Sequence, residues 1–256
     1  MAIVLLILAL APCLFLLWYF YHRDKYEPEP KKKIIKIFLL GAVMVIPAGL
    51  LEIGIGSGID ALIGGIPHAF IMSFFVIAPI EELLKFFTVK KWIYRSLEFD
   101  EVMDGIVYTV AASLGFATVE NILYVFQHGV QVAIARAFLA VPGHAFFGAL
   151  MGYYIGRAKF NKEKESSLLL KGIFLAVFFH GLYDFLLLTQ TVLALLVIIL
   201  IIVLGFFVRK ELRKAEQLSK ERLMAESATA QDPDTSAGKQ KSANATKPRE
   251  DQKPTA

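Results

Sequence analysis

Residues 2–21 (AIVLLILALAPCLFLLWYFY) are twenty consecutive positions without a charge. At 1.5 Å per residue, a helix of that length matches a hydrocarbon core of about 30 Å. Six more apolar stretches follow, at 34–51, 68–89, 102–126, 130–156, 168–188 and 191–208. In hydrocarbon, backbone N–H and C=O groups have no water to bond, so segments of this length solve the problem as helices. The expectation is an all-α fold: a polytopic transmembrane helix bundle of about seven spans. Composition agrees, since 56% of the chain is apolar and 20% charged, an oilier balance than soluble domains show. A cleaved signal peptide is the competing reading of residues 2–21. It fits poorly: no Lys or Arg precedes the run, and Trp18–Tyr21 is aromatic where small residues mark cleavage.

Charge sets the orientation. Arg23, Lys25 and Lys31–Lys33 follow the first run, Lys90, Lys91 and Arg95 the third, Arg157, Lys159, Lys162 and Lys164 the fifth, and Arg209, Lys210, Arg213 and Lys214 the seventh. With the basic clusters inside, the N-terminus is outside and the C-terminus cytoplasmic, in a multi-pass protein of the cell membrane. The Gly-rich stretch 54–65 reads as an outer loop or short re-entrant segment. Residues 1–210 form the membrane-embedded domain, and 211–256 a charged, largely disordered cytoplasmic tail whose first part, to about 226, can extend the last helix. The basic residues lie in loops and this tail, with no stripe on a folded domain, so nucleic acid is not a partner and the lipid bilayer is. The single cysteine, Cys13, excludes an intrachain disulfide and a multi-Cys zinc site.

Ionisable groups inside apolar spans carry the functional information, because each costs free energy to place there. Glu81, Glu82 and Lys85 lie mid-span in IMSFFVIAPIEELLKFFTV, with Lys85 at i+4 and i+3 from the two carboxylates. Adjacent Glu81 and Glu82 project about 100° apart, which implies different tasks. Glu120 and Asn121 follow a run of small residues (Ala111, Ala112, Ser113, Gly115, Ala117), and His144 follows Pro142–Gly143. Gly148, Gly152 and Gly156 form a ridge suited to close helix packing. His180 and Asp184, four residues apart, share one helical face, where a carboxylate can orient an imidazole. His22, His68 and His128 sit at span ends or in loops. A common site for Glu81, His144 and His180 needs tilted or broken helices, which Pro79 and Pro142–Gly143 can supply.

A carboxylate that deprotonates water, with imidazoles that position it and stabilise an oxyanion, suffices for peptide hydrolysis. The same side chains can instead hold a divalent metal such as zinc, and the sequence leaves the cofactor open between none and such an ion. HExxH, GxSxG and GxGD motifs are absent. From a different class, buried Glu and His can form the relay of a proton- or ion-coupled transporter.

APIEELLK (78–85), FDEVMDGIVYTVAASLGFATVEN (99–121), GHAFFGALMGYYIGRAK (143–159) and HGLYDF (180–185), in this order, resemble the PrsW family of intramembrane proteases, related to the CAAX prenyl and bacteriocin-processing membrane proteases. The resemblance covers roughly residues 1–210. It implies an intramembrane endopeptidase that makes the site-1 cut in a single-pass anti-sigma factor and so activates a sigma factor. It places Glu81, Glu82, His144 and His180 at catalytic positions, with Lys85, Glu120, Asn121 and Asp184 in support. Ala140 stands where the wider superfamily carries Phe, four residues before His144.

Overall fold

The computed structural model describes the backbone of residues 2–231 and the side chains of 2–228. Among these residues it is all-helical. The helices are α1 (Ala2–Tyr21), α2 (Lys31–Val43), α3 (Val45–Asp60), α4 (Gly65–Ile71), α5 (Ala78–Trp92), α6 (Val102–His128), α7 (Val130–Phe138), α8 (Ala140–Lys159), α9 (Glu165–Leu188) and α10 (Leu196–Gln231). Six segments are long and apolar enough to cross a membrane: Ala2–Tyr21, Lys31–Asp60, Val102–His128, Val130–Lys159, Lys162–Leu188 and Val192–Ala228. The remaining expected span, 68–89, is helical but composite: α4, a π-helical turn over Met72–Ile77, then α5.

Helix α6 is the axis of the bundle. Every residue from Val102 to Thr118 is buried, and α1, α2, α5, α7, α8 and α10 all pack against it. Its small residues explain how one helix accepts so many neighbours. On one side, Gly115 and Ala112 meet the α2 backbone at Phe38 and Gly41; on another, Gly105 meets Gly152 and Gly156 of α8. A methyl group at Gly41, Gly105, Gly115, Gly152 or Gly156 would overlap the facing backbone. In lipid, where apolar side chains gain little by leaving solvent, such backbone-to-backbone contact is a main source of helix association. The Gly148–Gly152–Gly156 ridge is thus a packing seam, and Cys13 of α1 is buried in the apolar core.

Two helix breaks position the functional side chains, and both lie beside prolines. Pro79 has no N–H and its ring crowds the carbonyl four residues back, so the wider π turn immediately precedes it. Leu139 separates α7 from α8, which places Pro142 in the first turn of α8, where a missing N–H costs nothing. The Gly-rich stretch corrects the expected loop: α3 stays helical through Gly54, Gly56 and Gly58 to Asp60, and the turn lies at 61–64. Interleaved Ile53, Ile55 and Ile59 keep that segment apolar, and an apolar segment in lipid satisfies its backbone as helix despite its glycines.

The last helix reaches well past its apolar half. Leu204, Val208, Leu212, Ala215 and Ser219 are buried at spacings of three and four, so one face of the extension lies on the basic end of the bundle. Arg23 pairs with Glu216 at 2.8 Å, and Arg222 with Asp100 at 3.2 Å. Helix α10 passes residue 226 and runs to Gln231; residues 232–256, most of the expected disordered tail, lie outside the described residues.

Gly152→Ala should destabilise the bundle by about 1–3 kcal/mol through overpacking. Gly58→Ala, which meets open space, should be neutral or stabilising by up to about 1 kcal/mol. Thermal unfolding of the two variants in detergent reads the contrast.

Candidate active site

Helix α5 places Glu81, Glu82 and Lys85 on adjoining turns just after the π turn, and all three are buried. The ammonium of Lys85 donates to Glu81 Oε2 at 2.9 Å, to Glu82 Oε1 at 2.7 Å and to His144 Nδ1 at 3.1 Å. An ammonium has three N–H bonds and no acceptor, so all three are used. Its remaining side rests on the Phe116 ring, 4.5 Å from the centroid. Because Lys85 donates to Nδ1 of His144, the imidazole proton is on Nε2, and it is donated to Glu120 Oε2 at 2.8 Å.

His180 enters from α9. Its Nδ1–H donates to Glu82 Oε1 at 2.8 Å, and its Nε2 lies 3.3 Å from Asp184 Oδ2 and 3.9 Å from Glu81 Oε2. The ring stacks on Phe147 with centroids 4.9 Å apart and stands 5.3 Å from the His144 ring. The four expected catalytic residues, which span a hundred positions in sequence, therefore form one cluster.

The supporting residues divide. Glu120 accepts the outer N–H of His144, and Asp184 Oδ2 lies 3.3 Å from the outer nitrogen of His180 without a hydrogen bond to it, while Lys85 ties the inner groups together. Asn121 faces away: its Nδ2 donates to the Ala9 carbonyl of α1 at 2.7 Å, and its Oδ1 accepts from Arg136 Nε at 2.8 Å. It is an interhelical strut, one step removed from the centre. Ala140, in place of an aromatic residue, is buried at the start of α8.

Two members of the site were not read from the sequence. Arg136 of α7 pairs with Glu120 Oε1 at 3.1 Å and lies over Tyr124 at 4.4 Å. Glu52 of α3 lines the same cavity as Glu81 and His180, with its buried Oε1 unpartnered. Both satisfy the criterion that exposed the others, an ionisable residue in an apolar run. Arg136 lies in no motif, and Glu52 sits at the edge of the stretch taken for a loop.

The cavity holds about 560 Å³ and is open at one side. Glu81, Glu120, His144, His180 and Asp184 form its polar floor, and residues such as Val45, Ala48, Leu139 and Leu187 its walls. Glu82 does not reach it: its carboxylate lies behind, with Oε2 buried and without a partner. Glu81, Glu82, His144 and His180 can each present one ligand atom within 4.8 Å of the others. Imidazole nitrogen and carboxylate oxygen are donors that zinc accepts. Glu120 accepting the outer N–H of His144 is the second-shell arrangement of a metal-ligating histidine, and Asp184 lies near the outer nitrogen of His180. The donor set therefore fits a divalent ion.

Residues 29–208 match the family model of the PrsW family intramembrane metalloprotease. The chain belongs to the PrsW family. Similar relatives include Protease PrsW of Geobacillus kaustophilus, 43% identical over 180 residues, covering 70% of this chain and 78% of that one. Protease PrsW of Bacillus subtilis is 40% identical over 179 residues, covering 70% and 80%. That of Halalkalibacterium halodurans is 34% identical over 227 residues, covering 84% and 99%. No solved structure matches the chain. Membership of the PrsW family makes this multi-pass membrane protein a peptidase and resolves the choice between a protease and an ion-coupled transporter. The family match begins at residue 29, so α1 lies outside it.

Lys85 counterbalances two buried carboxylates, and removing one member of a buried ion pair costs about 3–5 kcal/mol. Lys85→Met should therefore lower the melting temperature more than Asn121→Ala, which loses hydrogen bonds only. Thermal unfolding of the purified variants in detergent checks the order.

Proposed function

We propose that this PrsW protease makes the site-1 cut in a single-pass membrane anti-sigma factor and so starts the release of a sigma factor. The observation that carries the reading is Glu81 on the floor of a cavity beside two imidazoles, one held from behind by Glu120 and the other with Asp184 3.3 Å from its outer nitrogen. The apolar walls suit an unwound stretch of a transmembrane segment, whose exposed amides would find polar partners at the floor. The basic clusters favour an N-terminus outside and a C-terminus in the cytoplasm.

Glu81 is the general base: it alone of the pair faces the cavity, and its carboxylate can take a proton from water and return it to the leaving amide nitrogen. Glu82 is the anchor, tied to Lys85 and His180. Glu120 and Asp184 fix the orientations of His144 and His180 toward water and the scissile carbonyl. Lys85 holds both carboxylates in register from behind the cavity floor. His144, His180 and Glu82 would hold a divalent metal once Lys85 released His144 Nδ1 and His180 lost its Nδ1 proton, leaving Glu81 free as base. An ion held there would supply Lewis-acid polarisation of the carbonyl and a more acidic water.

The test is cleavage of a reporter bearing an anti-sigma-factor transmembrane segment, in vesicles of purified protein. Glu81→Gln should insert normally and lose at least about a hundredfold in rate. Chelation should abolish cleavage, and zinc should restore it. Wild-type turnover by Glu81→Gln would remove Glu81 from the mechanism, and full activity after chelation would remove the metal.

A further inference from the structure

A second convergence of carboxylates lies at the opposite, basic end of the bundle. Asp24 comes from the connection between α1 and α2, and Glu101 and Asp104 from the start of α6; all three are buried, at 3%, 4% and 0% exposure. One oxygen from each lies within 4.8 Å of the others. Ligands on opposite sides of one hard divalent cation are about 5 Å apart, twice a metal–oxygen distance of about 2.5 Å.

The protein supplies little to neutralise this charge. Asp104 Oδ2 caps the helix, accepting the amides of Asp100 and Glu101 at 2.7 and 2.8 Å, but Asp104 Oδ1 has no donor. Asp24, from a separate segment, has both oxygens shielded from solvent and in no well-formed hydrogen bond; the nearest polar groups are the Glu29 amide and the Glu101 carboxyl. Nearby cations are engaged elsewhere, Arg23 with Glu216, Arg222 with Asp100 and Glu226, and Lys159 with the Ser96 carbonyl. Ser219 of α10, adjacent to Glu101, donates to Ala215. A fourth carboxylate, Glu29, accepts the Tyr108 hydroxyl at the edge of the group. Burial, followed by repulsion from Glu101 and Asp104, pushes the Asp24 carboxyl up to about 8.

We infer that Asp24, Glu101 and Asp104 form a binding site for a hard divalent cation of the magnesium or calcium class, separate from the catalytic centre. The donors are all oxygen, which selects such ions over zinc or copper. Bound there, the cation joins the α1–α2 connection to the start of α6, beneath the extension of α10. It fastens α1 to the axis of the bundle at the end away from the active site.

The test uses the full chain in detergent, chelated and then titrated with Mn²⁺ as the paramagnetic probe, with Mg²⁺ as competitor. Wild type should bind one more Mn²⁺ than Asp24→Asn or Glu101→Gln, and Mg²⁺ should displace it. The melting order should cross: in chelator Asp24→Asn, which relieves repulsion, melts at or above wild type; in millimolar Mg²⁺ wild type rises by several degrees and the variants do not. Equal Mn²⁺ binding by wild type and both variants overturns the inference. So does a wild type that Mg²⁺ leaves unshifted, including one stabilised between pH 8 and pH 6 in chelator, where protons would neutralise the cluster. Since Asp24 lies outside the catalytic cluster, reporter cleavage by Asp24→Asn shows folding, and its loss in Glu81→Gln reports on the protease reading alone.

Discussion

Lys85 has three N–H bonds, no exposure to solvent and three acceptors within 3.1 Å. An ammonium in such a place is tolerated only because two carboxylates neutralise it, and those carboxylates are tolerated only because of the ammonium. The rest of the site follows from that mutual dependence. Helix α5 must bring Glu81 and Glu82 to one side, α8 must bring His144 to the third N–H, and α9 must bring His180 to Glu82. A rigid centre results in which the only carboxylate of the pair facing the cavity is Glu81.

Backbone contact supplies the rigidity. Gly105, Gly152 and Gly156 let α6 and α8 approach until no methyl group fits between them, and Gly41 and Gly115 do the same for α2 and α6. Glu120 on α6 and His144 on α8 are thereby held at hydrogen-bond distance, with only the short Ser113 side chain, against Gly148, between the helices along the seam. The breaks at the π turn and at Leu139 are complementary to this close packing. Without them, straight helices would carry Glu81 and His144 at different depths.

Much of this was legible in the sequence. The paired carboxylates, Lys85, His144 and His180 stood out because charge in an apolar run is costly and therefore rare, and the spacing of Lys85 already allowed its ion pairs. The prolines marked both helix breaks. Arg136 and Glu52 carried the same signal but fell outside the motifs, and their place on the cavity depends on how α3 and α7 tilt toward the centre. The helicity of 54–60 was hidden by its glycines: local propensity argued for a loop, and the apolar surroundings of α3 prevailed.

Sequence by itself determined the class of structure and the chemical inventory, since long uncharged runs have one backbone solution in lipid and ionisable exceptions within them are few. Tertiary structure decided the roles. The division of labour between adjacent Glu81 and Glu82, the assignment of Glu120 and Asp184 to one imidazole each, and the turning of Asn121 toward α1 depend on helix rotation and distance. So does the meeting of Asp24 with Glu101 and Asp104. Those quantities are set by how helices far apart in the chain pack, and periodicity within a single helix does not contain them.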